Sequence, residues 1–155
     1  MSVKDKSVLL TGASQGLGLA LFGELARAGA RVVGVARNAA AIEHAAAELR
    51  GLGLAAHGLA ADVGQKSDVY PIAGAAAALV GPIDILIHNA SSLGPTPLRL
   101  LLDSTCEDFS RVLEVNLLGL NFGVDPKSLS IKLPIVGRLG PARDNTPMHV
   151  ELREP

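Results

Sequence analysis

An apolar run that ends in a turn with three glycines most constrains how this chain can fold. Residues 8–18 read Val-Leu-Leu-Thr-Gly-Ala-Ser-Gln-Gly-Leu-Gly, and a helical pattern follows at once. This order predicts a strand, a tight turn and a helix, because glycine permits backbone angles that a Cβ atom would forbid. The start of such a helix presents unpaired N–H groups to a phosphate. We therefore interpret residues 8–18 as a phosphate-binding loop for a dinucleotide. A plain glycine-rich loop is the alternative.

Apolar runs alternate with helical patterns along the first 118 residues. The predicted strands cover residues 6–11, 31–36, 54–59 and 83–88, and the predicted helices cover residues 16–28, 39–50, 67–80 and 104–118. Strands that alternate with helices indicate an α/β fold, a parallel sheet with helices on both faces. We predict the Rossmann-like strand order 3-2-1-4, with a ligand at the switch point between strands 1 and 4.

The composition argues against several classes of partner. The net charge of -1 and the 3% of aromatic residues do not suit a nucleic-acid-binding surface. No apolar run is long enough to span a membrane. Cys106 is the only cysteine and no two histidines lie at ligand spacing, so no metal site is expected. Residues 1–6 lack the apolar core of a signal peptide, and we expect a soluble, cytoplasmic protein.

The character of the chain changes near residue 119. After Ala90 the only alanine is Ala142, and five of the nine prolines lie at or after residue 126. We predict a nucleotide-binding domain over residues 1–119 and an atypical, proline-rich tail over residues 120–155 that is partly irregular. A short strand could form over residues 130–136, although its proline disfavours it.

A basic residue follows the second predicted strand, where the adenosine ribose of a dinucleotide would lie. Position 36 is alanine, so no carboxylate there would repel an added phosphate. Arg37 could instead form paired hydrogen bonds with a 2′-phosphate. This pattern favours NADP over NAD. A solvated arginine at the end of a strand is the alternative.

Polar residues follow the third and fourth predicted strands. Asp62 could accept a hydrogen bond from an adenine amino group, or it could simply start a helix whose dipole favours a carboxylate. Asn89 and Ala90 end the fourth strand, where a small side chain lets a ribose approach and an amide can tie two loops together. His88 is predicted to be structural. Asn116 lies among apolar residues, and we expect a buried amide with either a structural or an active-site role.

Four motifs together resemble the short-chain dehydrogenase/reductase family over about residues 5–119. They are Thr-Gly-x-x-x-Gly-x-Gly at 11–18, Asp-Val at 62–63, Asp-Ile-Leu-Ile-His-Asn-Ala at 84–90 and Val-Asn at 115–116. The resemblance implies an NAD(P) cofactor and hydride transfer between a small-molecule carbonyl and an alcohol. It implies cofactor contacts from Gly12, Ser14, Gly16, Leu17, Gly18, Asp62, Val63, Asn89 and Ala90. Their positions in the sequence make Gln15 and Arg37 candidate cofactor-binding residues as well.

The resemblance also assigns a catalytic role and exposes three departures. Asn116 matches the family's active-site asparagine, which holds a water in the proton relay. Gln15 stands where members that prefer NADP often carry a basic residue, and Ser91 replaces the glycine that usually follows Asn-Ala. The family's catalytic serine and Tyr-x-x-x-Lys have no counterpart, because the single tyrosine, Tyr70, lies far upstream and is followed by Pro-Ile-Ala-Gly.

The sequence therefore predicts a family oxidoreductase that is truncated after its fourth strand and following helix, and that is catalytically weak or inactive. A non-catalytic NADP-binding or interaction module is the alternative. A Rossmann methyltransferase is a distant third, because Thr-Gly-x-x-x-Gly-x-Gly does not suit it. One side of the fourth strand would be open unless residues 130–136 cover it, which predicts a homo-oligomer or self-association through that edge.

Overall fold

A parallel sheet organises the part of the chain that the structure describes. The structure, a computed structural model, describes residues 2–98 and 100–117. Its elements in chain order are β1 (Ser7–Thr11), α1 (Gly16–Arg27), β2 (Arg31–Ala36), α2 (Ala39–Gly51), β3 (Ala56–Ala60), α3 (Lys66–Val80), β4 (Ile85–Ile87), a short 3-10 helix (Leu101–Asp103) and α4 (Cys106–Asn116). The strands pair in parallel in the order β3-β2-β1-β4, which confirms the predicted Rossmann-like order.

Alternate residues of β1 point to opposite faces of the sheet, and each face has its own core. Leu10 packs in one core with Phe22 of α1 and Ile42 of α2. Leu9 packs in the other core with Ile72 of α3. All five side chains are at most 2% exposed. Burial on both faces explains why β1 is a continuous apolar run rather than an alternating one.

The starts of two helices follow side-chain caps. Asn38 accepts a hydrogen bond from the backbone N–H of Ala41 at 3.0 Å, so α2 begins where the sequence predicts. Thr105 accepts one from the N–H of Asp108 at 3.1 Å, and α4 begins after this cap, two residues later than predicted. The third and fourth strands are also shorter than predicted, since element ends carry the weakest local signal.

Asp84 joins the amino ends of β1 and β4. Its carboxylate accepts hydrogen bonds from the backbone N–H of Ser7 at 2.9 Å and from the Lys6 ammonium at 3.5 Å. Its own N–H donates to the Ser7 carbonyl at 2.9 Å. The Ser7 N–H, and then the Lys6 charge, lower the pKa of Asp84 below its ordinary value of 3.8. These contacts support the parallel register of the two strands, and hence the alignment of their carboxyl ends.

Helix α4 is more exposed than its apolar residues lead us to expect. The helical spacing of its apolar residues is real, but none of its residues is buried. Phe109 is 46% exposed and Leu113 is 39% exposed. Within the described residues, Val115 reaches the core that α3 covers, as a partly buried neighbour. Phe109 and Leu113, on the apolar face of α4, are therefore only partly covered by the residues that the structure describes.

Several predictions concern residues that the structure does not describe. They are the proline-rich tail over residues 120–155, the change of character near residue 119 and the strand over residues 130–136. Within the described part of the chain, no helix combines the length and apolar character needed to cross a membrane.

Candidate functional site

A cleft of about 300 Å³ lies at the carboxyl end of the sheet, beside the switch point between β1 and β4. Every residue that the sequence predicts to contact a cofactor lines it, and the roles of these residues stay predictions. They are Gly12, Ser14, Gln15, Gly16, Leu17, Gly18, Arg37, Asp62, Val63, Asn89 and Ala90. Sequence reasoning missed Val35, Ala61 and Val115, which also line the cleft. Ala61 directly precedes Asp62 and Val115 directly precedes Asn116, so their places beside predicted site residues could have identified them.

The three glycines of the loop after β1 serve different purposes. Gly12 has a φ of 69°, and a Cβ atom there would lie 2.8 Å from the Cα of Ala90. A Cβ atom at Gly18 would overlap the carbonyl oxygen of Gly12. Both glycines therefore allow the loop, α1 and the end of β4 to pack closely. Gly16 has a φ of 54°, but its Cβ atom would meet nothing within 4 Å, so its missing side chain leaves space open.

The first turn of α1 is suited to an anion. Gln15 is the N-cap residue, and its side chain makes no capping hydrogen bond. The first turn contains no acidic residue. The N–H groups at the start of a helix lack intrahelical partners and sit at the positive end of the helix dipole. The cleft therefore meets a helix end that favours negative charge.

Two side chains tie the end of β4 to the loop after β1. The Thr11 hydroxyl accepts hydrogen bonds from the backbone N–H groups of Asn89 and Ala90, both at 3.1 Å. The Asn89 amide donates to the carbonyl of Gly12 at 3.1 Å. This confirms that the Asn89 amide joins two loops. Sequence reasoning gave Thr11 no role, although a hydroxyl that is 1% exposed at the end of an apolar run needs partners.

Arg37 brings a positive charge to the cleft. It is exposed, and it makes no hydrogen bond or ion pair with another residue of the described ranges. Ala36, the residue before it, is 8% exposed, and its carbonyl accepts the N–H of Ala61 at 3.0 Å. Arg37 is the one basic residue among those that line the cleft. Its guanidinium is therefore available to a ligand.

Asp62 lies in the loop between β3 and α3, before the helix starts at Lys66. One carboxylate oxygen accepts the N–H of Gly64 at 2.9 Å. The neighbouring Val63 is 8% exposed and packs in the core that α3 covers. This position argues against the alternative of a helix-start aspartate. Asp62 and Val63 both line the cleft.

Asn116 is not buried, so that expectation is wrong. Its side-chain oxygen accepts the N–H of Ser92 at 2.8 Å, and its amide nitrogen donates to the Ser92 carbonyl at 2.8 Å. The amide thus pairs with one backbone unit as a neighbouring strand would, and it holds the loop after β4. It does not line the cleft, whereas the adjacent Val115 does. A catalytic role for Asn116 stays a prediction.

His88 directly precedes Asn89, which lines the cleft. His88 is half-buried, and burial lowers its pKa below the ordinary value of 6.5, so the ring is neutral at pH 7. Within residues 2–98 and 100–117, no three His, Cys, Asp or Glu side chains are grouped to hold a metal ion. Tyr70 belongs to α3, the helix between β3 and β4.

Comparisons with known proteins agree with this geometry. A family model described as short chain dehydrogenase matches residues 6–125. The uncharacterized oxidoreductase YxnA of Bacillus subtilis (strain 168) is 37% identical over 123 residues, which span 78% of this chain and 33% of that protein. The 2-dehydro-3-deoxy-D-gluconate 5-dehydrogenase of Formosa agariphila is 38% identical over 117 residues, which span 74% of this chain and 43% of that protein.

A solved structure shows the same likeness in three dimensions. A double mutant of a Serratia marcescens short-chain dehydrogenase/reductase superposes with a TM-score of 0.70 and is 26% identical. The match covers 77% of this chain and 48% of that one. The chain therefore spans less than half the length of each of these relatives.

Proposed function

The chain belongs to the short-chain dehydrogenase family, and from this premise we propose that its described residues form the cofactor-binding part of an NAD(P)-dependent oxidoreductase. The observation that carries the proposal is the cleft at the switch point of the sheet, with its glycine loop and the first turn of α1. The glycines leave room for a ligand backbone to approach, and the helix end favours its phosphates. The residues present fit a dinucleotide.

Each end of the proposed cofactor has residues suited to it. The pyrophosphate would lie against the N–H groups at the start of α1, and the adenine against Asp62 and Val63. The nicotinamide ribose would approach Asn89 and Ala90, whose backbone Thr11 holds in place. When bound, the cofactor supplies or accepts a hydride. The chain itself contributes binding and orientation.

We propose that NADP is the preferred cofactor. Arg37 lines the cleft just after β2, beside the uncharged Ala36, and no described residue neutralises it. A guanidinium can form paired hydrogen bonds with a 2′-phosphate, which NAD lacks. Gln15 lines the same cleft and contributes no charge, so the preference depends on Arg37.

Replacing Arg37 with alanine is expected to weaken NADPH binding about 10- to 100-fold and to leave NADH binding nearly unchanged. A charge-assisted hydrogen bond is worth about 1.5–3 kcal/mol, which corresponds to that range. Fluorescence titration with both cofactors measures the effect. Arg111→Ala is the matched control, because it removes the same charge from an exposed position on α4 outside the cleft. Equal losses for both cofactors would contradict the preference.

We also propose that this chain is a weak catalyst or none. Among the residues that the structure describes, the ionisable side chains that line the cleft are Arg37 and Asp62. Neither matches the tyrosine and lysine to which the family resemblance assigns proton transfer at a carbonyl. This favours the second candidate, a non-catalytic NADP-binding or interaction module in residues 1–119 with a separate tail. We further propose that the protein is cytoplasmic and that its substrate is a small carbonyl or alcohol. We expect no nucleic-acid or membrane partner.

Self-association is expected in solution. Among the described residues β4 pairs with β1 alone, and an open strand edge with apolar side chains can pair with another chain. Light scattering over a concentration series should show a mass that rises above that of one chain. The variant Leu102→Lys, which changes a side chain that is 96% exposed, should associate like the unmodified chain. A monomer at every concentration would refute self-association, and loss in Leu102→Lys would assign it to the exposed leucines.

A further inference from the structure

Asp68 reaches back from the first turn of α3 to the loop that carries Asp62. One of its carboxylate oxygens accepts the backbone N–H of Asp62 at 3.1 Å. The other accepts the hydroxyl of Ser67 at 3.2 Å. The N–H of Asp68 donates to the Gln65 carbonyl at 2.9 Å, as expected at the start of a helix. The bond to Asp62 therefore goes beyond capping α3, because it crosses the whole connection between β3 and the helix.

The loop is constrained on its other sides as well. The Asp62 side chain accepts the N–H of Gly64, and the Asp62 carbonyl accepts the N–H of Gln65 at 2.9 Å. A Cβ atom at Gly64 would lie 3.0 Å from a methyl group of Val115, so the turn also has little room on that side. Among the hydrogen bonds described for this loop, the one from the backbone N–H of Asp62 depends on a side chain from α3. Removing the Asp68 carboxylate would free the backbone of Asp62, whose own carboxylate is proposed to face the adenine.

We propose that Asp68 is a positioning residue for the adenine end of the cofactor and acts through Asp62. This inference rests on the proposed function, since it concerns the affinity of the cleft for a dinucleotide. Asp68 does not line the cleft, and Asp62 does. Because Asp62 is the residue proposed to face the adenine, the effect of Asp68 is confined to ligands that contain adenine. A ligand made only of the nicotinamide half does not reach the loop.

The test compares three ligands by calorimetry: NADPH, 2′,5′-ADP and reduced nicotinamide mononucleotide. Asp68→Ala should weaken the two adenine ligands about five- to tenfold and change the mononucleotide less than about twofold. Asp68→Asn keeps an oxygen that can accept the Asp62 N–H, so it should restore binding to within about twofold. Ser67→Ala is the matched control, because it removes the other partner of the same carboxylate and should bind like the unmodified chain.

A second measurement needs no ligand. Hydrogen exchange of the Asp62 amide should be faster in Asp68→Ala than in Asp68→Asn or the unmodified chain. Unchanged exchange, equal loss of all three ligands, or failure of asparagine to restore binding would overturn the role of Asp68. If the unmodified chain bound NADPH and Asp68→Ala bound it equally well, only this inference would fail. If the unmodified chain bound no ligand, the proposed function would fail with it.

Discussion

Replacing Gly16 with valine is expected to abolish binding of NADPH and NADH alike, a loss of about 100-fold or more. Gly16 begins α1, and a Cβ atom there meets no protein atom within 4 Å. The added side chain would instead enter the space where the phosphates approach the helix. Each charge-assisted hydrogen bond lost there is worth about 1.5–3 kcal/mol, so losing two accounts for the size of the effect. Calorimetry on the folded variant measures it.

The control for Gly16→Val is Gly53→Val. Gly53 has a φ of 76°, close to the 54° of Gly16, and its Cβ atom also meets nothing within 4 Å. The two variants share the same kind of backbone strain, but Gly53 lies between α2 and β3, away from the cleft. A folded Gly53→Val protein should bind NADPH normally. If both variants lost binding equally, strain rather than intrusion into the cleft would be the cause.

Gly18→Val is a less informative variant of the same loop. The sequence predicts that a valine at either Gly16 or Gly18 abolishes cofactor binding. In the structure a Cβ atom at Gly18 would overlap the Gly12 carbonyl, so this substitution displaces the loop itself. Its loss of binding would therefore accompany a loss of stability. A substitution at Gly16 tests contact with the cofactor without disturbing the packing of the loop, because a Cβ atom there meets no protein atom within 4 Å.

Local patterns were sufficient to predict the sheet and most of the residues that line the cleft. The valine-rich run Arg31–Ala36 is a strand with the predicted bounds, because burial on both faces demands continuous apolar residues. Strand order follows from the alternation of strands and helices, and several of the residues that line the cleft follow from where strands end. Each of these inferences depends on residues that are close together in sequence or on a general rule of parallel sheets.

Contacts between residues that are far apart in the chain could not be predicted from the sequence. The Thr11 hydroxyl meets the N–H groups of Asn89 and Ala90, 78 and 79 positions later, and no local pattern marks such a pair. Asn116 was expected to be buried because its neighbours are apolar. Its exposure depends instead on what packs against α4, and that is not a local property. Periodicity identifies the apolar face of a helix but not its partner.

A chain of these 155 residues is expected to reduce no carbonyl compound with NADPH above background. A carbonyl oxygen gains negative charge during reduction, and a positioned acid that protonates it contributes about 10²–10⁴-fold. Donors aimed at the developing charge contribute about 10²–10³-fold. By resemblance these roles belong to a serine and a Tyr-x-x-x-Lys that the chain lacks. The Asn116 amide does not release a proton near neutral pH, and it already pairs with Ser92.

The decisive measurement is the absorbance of NADPH in the presence of a broad panel of aldehydes and ketones. A full-length member of the family serves as the positive control, and prior titration must show that the chain binds NADPH. Tyr70→Phe should behave like the unmodified chain, because Tyr70 belongs to the helix before β4. Turnover that disappears in Asn116→Ala would contradict the prediction. It would mean that the chain supplies a proton donor other than Arg37 and Asp62, the ionisable side chains that line the cleft among the described residues.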